Sequence, residues 1–263
     1  MTAAQDADGI ACLRGQALVI SEDAESYSYK PVSTITAGTA LLWTEITGGF
    51  VAGSGPLGIW AVSDYAFIAA EGGYVYGLGT AGDNVSVLDA GVATTNNLNA
   101  VHALSDQFAV AVGDSDTIVY TVTRDNWVAA TATGGGNNLL AVWAKNRLEW
   151  FVGDDAGGLY YTLDGGNTWT QKVIPGSVSQ INSIKFSNDA IGFIGAETVV
   201  PAGVMLRTFN GGYSWVVLPE GVQALPASDS IDAVAVCRDD PNFVVGVGLA
   251  DDAADGVIIL LED

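Results

Sequence analysis

Short runs of alternating apolar and polar residues, separated by Gly and Asp turns, recur along the chain. Alternation with a period of two is the pattern of a strand that buries one face. One such run is apolar and ends in a small polar corner. It reads Gly58-Ile-Trp-Ala-Val-Ser-Asp64, then Ala100-Val-His-Ala-Leu-Ser-Asp106, then Leu140-Ala-Val-Trp-Ala-Lys-Asn146, then Ser183-Ile-Lys-Phe-Ser-Asn-Asp189. Trp60, His102, Trp143 and Lys185 are equivalent, at steps of 42, 41 and 42 residues. Ala17–Asp23 reads as an earlier copy and Asp232–Asp239 as a later one. Asp outnumbers Glu by 22 to 8, and Asp makes turns where Glu favours helices, so many turns and few helices are expected.

A period of about 42 residues, built from four short strands, predicts an all-β protein of the β-propeller type. The length of 263 residues divided by the period gives six blades, with seven as the fallback. The blades fall at about 15–55, 56–96, 97–136, 137–177, 178–224 and 229–263, within a single domain covering 1–263. In the third blade the strands are expected at 98–105, 107–113, 117–123 and 126–132. The sixth has room for three strands, Ile231–Cys237, Phe243–Leu249 and Val257–Leu261. Gly9–Leu13 is the right length to supply its outer strand, so the N-terminus is expected to close the ring. Cys12 and Cys237 would then lie on the outermost and innermost strands of one blade, too far apart for a disulfide.

A second element follows the better copies. Thr162-Leu-Asp164-Gly-Gly166-Asn-Thr168-Trp169 fits the pattern Ser/Thr-x-Asp-x-Gly-x-Thr-Trp at every position. Thr208-Phe-Asn210-Gly-Gly212-Tyr-Ser214-Trp215 fits with Asn for Asp and Ser for Thr, and Ile118–Trp127 is a degenerate copy. On these residues the chain resembles the Asp-box (bacterial neuraminidase repeat) β-propellers, which include sialidases and the photosystem II assembly-factor propellers. The physics of such a box is structural. The Asp accepts backbone N–H bonds in a turn between the third and fourth strands, Gly takes a positive-φ position, and Trp packs between sheets. The resemblance implies that the boxes lie on the face opposite a catalytic or binding funnel.

Charge narrows the function. With 9 Lys+Arg against 30 Asp+Glu the net charge is −21, and no Lys or Arg occurs between Lys30 and Arg124. Without a basic patch the chain is not expected to bind nucleic acid or an anionic membrane surface. A basic neighbour is the partner such a surface fits. The first nine residues read as no signal peptide, so the protein is expected in a virion if it is viral and in the cytoplasm otherwise. Two cysteines form no disulfide framework, and one histidine makes a His-dependent triad improbable.

Candidate chemistry lies in carboxylates. Asp114 and Asp116, Asp154 and Asp155, and Asp251, Asp252 and Asp255 fall in second-to-third-strand loops, where pairs could hold Ca²⁺ or perform acid/base work; the bland reading is solvated turns. Asp23, Asp64, Asp106, Asp189 and Asp239 occupy the corner after the innermost strand, with Asn146 in the remaining blade, and are expected to ring one mouth of the central channel. The sialidase reading needs an arginine triad, and Arg14, Arg124, Arg147, Arg207 and Arg238 do not converge at the funnel. No catalytic residues are assigned. The reading is a non-enzymatic structural or protein-binding module of a larger assembly, with a phage or virus particle as the leading candidate, in a decoration, tail or adhesion role. The alternatives are a carbohydrate-binding or glycoside-cleaving propeller, and an assembly chaperone resembling photosystem II assembly factors, whose usual export signal and basic patch are not seen here.

Overall fold

The structure is a computed structural model that describes residues 9–13, 16–21, 26–31, 44–46, 49–81, 84–199, 203–218, 230–236, 244–249 and 256–261. Its contacts divide the chain into two compact units, Met1–Thr131 and Ala132–Asp263.

The first unit holds three sheets. One consists of β1 (Gly9–Leu13), β2 (Gln16–Ser21), β3 (Ser26–Pro31) and β4 (Thr44–Ile46). The next is β5 (Pro56–Val62), β6 (Tyr65–Ala70), β7 (Tyr74–Ala81) and β8 (Asn84–Val92). The third is β9 (Leu98–Ser105), β10 (Phe108–Gly113), β11 (Thr117–Thr121) and β12 (Trp127–Ala129). The second unit repeats the plan with β13 (Leu139–Ala144), β14 (Trp150–Asp154), β15 (Leu159–Thr162) and β16 (Thr170–Lys172), then β17 (Val178–Phe186), β18 (Gly192–Thr198), β19 (Gly203–Thr208) and β20 (Val216–Val217). Its last sheet has, among the described residues, three strands: β21 (Ala233–Val236), β22 (Val244–Leu249) and β23 (Gly256–Leu261). Every sheet is an antiparallel meander in which each strand pairs with the next.

Burial explains the sequence of each strand. The second strands β6, β10 and β14 are buried at every position. In β6, Ala66, Ile68 and Ala70 pack with Leu13, Leu18 and Ile20 of the preceding sheet, while Tyr65, Phe67 and Ala69 pack with Leu98, Val101 and Ala109 of the following one. Burying each large side chain stabilises the fold by about 1.5–3 kcal/mol. The fourth strands β12, β16 and β20 are short and mostly exposed. Gly153 and Gly195 occupy one position of the second strand, where the next sheet comes close. A Cβ there would lie 2.3 Å from Ile181 Cγ2 and 2.8 Å from Ile231 Cγ2, respectively.

The expected role of Gly9–Leu13 is corrected. This segment pairs with β2 in the first sheet, from Gly9 opposite Ile20 to Leu13 opposite Gln16, and lies beside β5. Only Arg14 and Gly15 separate the two strands, so a local hairpin forms with little loop-closure entropy. Ala17–Ser21 is therefore a second strand and not the first-strand copy that the repeat suggested. Cys12 is an exposed free thiol on β1, and Cys237 lies outside the described residues.

Candidate functional site

The two matched boxes are turns that close on themselves. In the first, the buried Thr162 hydroxyl donates to Asp164 Oδ1 at 2.7 Å and accepts the Gly166 N–H at 3.1 Å. Asp164 in turn accepts the Thr168 N–H at 2.9 Å and the Thr168 hydroxyl at 2.7 Å. These Thr168 bonds, with the Thr162 hydroxyl behind them, hold the Asp164 carboxyl down at about 2. The second box repeats the geometry. Thr208 accepts the Gly212 N–H at 2.9 Å, and Asn210 accepts the Ser214 N–H at 3.0 Å. Gly166 and Gly212 have φ of 83° and 91°, as the turn requires. Trp215 is buried against Phe186, with ring centroids 5.9 Å apart, and Trp169 packs against Trp150 at 6.3 Å.

The degenerate copy makes the same turn with one residue fewer. Thr121 accepts the Thr123 N–H at 3.2 Å, as Thr162 accepts that of Asp164 and Thr208 that of Asn210, both at 3.3 Å. The Arg124 N–H bonds the Gln107 carbonyl at 3.1 Å, as Gly165 bonds Leu148 at 2.9 Å and Gly211 bonds Ala190 at 2.8 Å. Arg124 therefore stands where the sister turns have glycine, and its φ of 73° matches their 69° and 74°. Its Nε donates to the Asp106 carbonyl at 3.1 Å, a terminal nitrogen pairs with the Asp106 carboxylate, and the guanidinium lies 4.6 Å over the Tyr65 ring.

The corner aspartates have separate fates. Asp106 is held below the usual carboxylate range by the Gln107 amide and then by Arg124. Asp64 and Asp189 are exposed, and the Asp189 carbonyl accepts the Lys145 ammonium at 2.8 Å. Asp23 and Asp239 lie outside the described residues. The corner itself is made one residue earlier than the repeat suggested. Ser105 Oγ accepts the N–H groups of Gln107 and Phe108, Asn146 Oδ1 those of Leu148 and Glu149, and Asn188 Oδ1 those of Ala190 and Ile191. Asn146 is thus the counterpart of Ser105 and Asn188, not of the aspartates. Their shared acceptor chemistry was the signal in the sequence.

The loop carboxylates serve their own turns. Asp154 is buried and accepts the Ala156 N–H at 3.0 Å and the Asn137 amide at 2.9 Å. Asp155 accepts the Asn138 backbone and side-chain N–H groups, and Asp114 the Asn99 amide at 3.0 Å. Asp116 is buried with φ of 60°. Asp251, Asp252 and Asp255 lie outside the described residues. Among the described residues, no three His, Cys, Asp or Glu side chains gather in a metal-holding group. The first-strand equivalents pack pairwise within each unit: Trp60 against His102 with centroids 4.4 Å apart, and Lys185 5.6 Å over the Trp143 ring. Burial lowers the Lys185 ammonium to about 8.

A surface patch that the sequence reading missed lies at the box-turn end of the second unit. Leu148, Leu163, Phe209 and Tyr213 are 58%, 54%, 58% and 65% exposed there. Leu163 and Tyr213 line one crevice with Tyr161, Lys172 and Glu149. The Lys172 ammonium lies 4.1 Å over Tyr161 and 5.1 Å over Tyr213. Lys145 ties the turns beneath, bonding the Asp189 and Gly211 carbonyls at 2.8 and 3.4 Å and Glu149 at 3.3 Å. Five of the nine Lys and Arg residues fall within 145–207.

No family model and no curated protein matches the sequence. Solved structures do match. YCF48 from Cyanidioschyzon merolae superposes with a TM-score of 0.66 at 16% identity, over 94% of this chain and 77% of that one. The RRP9 WD40 repeats give 0.70 at 13% identity, over 96% and 79%. A structure of YCF48 bound to D1 peptide gives 0.53 at 11% identity, over 99% and 96%. Four-stranded antiparallel sheets and these neighbours define an all-β fold of the β-propeller class.

Proposed function

We propose that the chain is a non-enzymatic, protein-binding β-propeller of a larger assembly, and that its partner docks on the box-turn end of the second unit. The exposed Leu163 and Tyr213, which share one crevice beside Lys172, carry this reading. Large aromatic and apolar side chains set beside cations are the composition of a protein-contact core, and on a chain of net charge −21 the cations are scarce. The peptide-bound YCF48 neighbour supports a protein-binding use of the fold. The three turns beneath the patch are fixed by Lys145 and by the boxes, so a partner would meet a rigid surface with little ordering cost.

The assembly we favour is a phage or virus particle, in which the acidic remainder of the surface would face a basic neighbour. Mass spectrometry of purified particles tests this. The chain is expected at a fixed copy number beside capsid, portal or tail proteins. A Leu163→Asp/Tyr213→Asp variant is expected to be missing from the particles while keeping the wild-type Tm. Particles that lack the wild-type chain, together with hydrolysis of any glycan in a screen, would refute the reading.

A further inference from the structure

The first unit carries a cleft of about 110 Å³ between its second and third sheets, lined by Tyr65, Phe67, Arg124, Asp125 and Trp127 over the small residues Gly77, Ala90 and Gly91. A water molecule needs roughly 10–15 Å³ in this measure, so the cleft has room for a ligand the size of several waters. Its opening depends on missing side chains. A Cβ on Gly77 would meet the Tyr65 hydroxyl at 1.6 Å, and one on Gly91 would meet nothing within 4 Å.

Arg124 is the informative residue. Both sister turns use glycine at this left-handed position, with φ of 69° and 74°, and an arginine at 73° is strained there. Such strain persists where something else requires the side chain. Asp106 holds one edge of the guanidinium, and Tyr65 lies under its face. That leaves the second terminal nitrogen for a ligand. Asp125 is exposed beside it as an acceptor, and Trp127, half-buried and T-shaped to Phe67 at 6.0 Å, lines the same cleft.

We propose that this cleft binds a neutral saccharide ring, with one face of the sugar on Trp127 and vicinal hydroxyls shared between Arg124 and Asp125. The charges favour a neutral ligand. Arg124 is already balanced by Asp106, and Asp125 adds a negative charge on a chain of net charge −21, so an anion is repelled. A cation is repelled by the Arg124 guanidinium, which already covers the Tyr65 face.

The test is calorimetry with the full chain and a panel of glucose, galactose, mannose, N-acetylglucosamine, maltose and cellobiose, with sialic acid and choline as charged controls. At least one neutral sugar is expected to bind with a millimolar dissociation constant. Arg124→Gly and Asp125→Ala should each weaken it by about tenfold or more. Arg124→Gly should also keep or raise the Tm, because glycine relieves the strain. The proposal fails if no neutral sugar binds at about 50 mM, or if only a charged control binds. It fails equally if either variant binds like wild type, or if Arg124→Gly lowers the Tm, which would make the arginine a structural tie. Asp125→Ala, on an exposed side chain, keeps the binding test sound whatever Arg124→Gly does to folding.

Discussion

At the scale of single residues, the boxes show how little the chain leaves to chance in its turns. Thr162 is both donor and acceptor in a buried site, so Thr162→Val keeps the shape and strands the Gly166 N–H. Chemical denaturation should report a loss of about 1–3 kcal/mol. Asp164 gives a pH signature. Its folded-state carboxyl titrates at about 2 against an ordinary 3.8, so its contribution is complete above pH 3.8 and is lost as the pH falls towards 2. Carboxyl NMR should show this low value, and Thr168→Ala should move it back up towards 3.8. A wild-type carboxyl titrating at 3.8 would contradict the turn geometry. The box residues were legible because each role demands one chemistry. Arg124 was not, since a positive φ leaves no mark on a sequence unless glycine supplies it, and the sister glycines, Gly165 and Gly211, align with it when counted from the box threonine but not when counted back from the tryptophan. The crevice of Leu163 and Tyr213 was also hidden, because an apolar residue in a turn does not announce whether it faces inwards.

At the scale of elements, the third sheet lies close to where the period placed it, with strands at 98–105, 108–113, 117–121 and 127–129. Strands of this kind are legible because two-sided burial requires unbroken apolar runs such as Tyr65–Ala70. The N-terminal strand was misassigned because Ala17–Asp23 resembles the apolar corner motif, and β2 is apolar for the different reason that it is a covered second strand. The better signal was Gly9-Ile10, which matches Gly58-Ile59 at the start of the first strand of the next sheet. Cross-linking checks the pairing. Cys12 and Ala17 are register partners, so Ala17→Cys in a Cys237→Ser background should form an intrachain disulfide on mild oxidation. A Cys12 thiol that stays free would return β1 to the last sheet.

At the scale of the molecule, the chain is strongly acidic, and five of its nine cations fall within 145–207. A net charge of −21 on 263 residues favours the expanded chain through self-repulsion. Raising NaCl from about 0.05 to 0.5 M shortens the screening length several-fold and should raise the Tm by a few degrees; a flat or falling Tm would mean that the carboxylates are already compensated locally. Lys172 lies over Tyr161 and Tyr213 and Arg207 over Phe209, and this pairing of scarce cations with exposed aromatics in the second unit carries the functional account. The most direct measurement places a photo-cross-linking residue at Leu163, with a control at exposed Val128 of the first unit, in the source that makes the assembly. The account predicts one dominant protein adduct at Leu163, abolished by Tyr213→Asp and absent at Val128. No adduct at Leu163, or the same adducts at both positions, would contradict it.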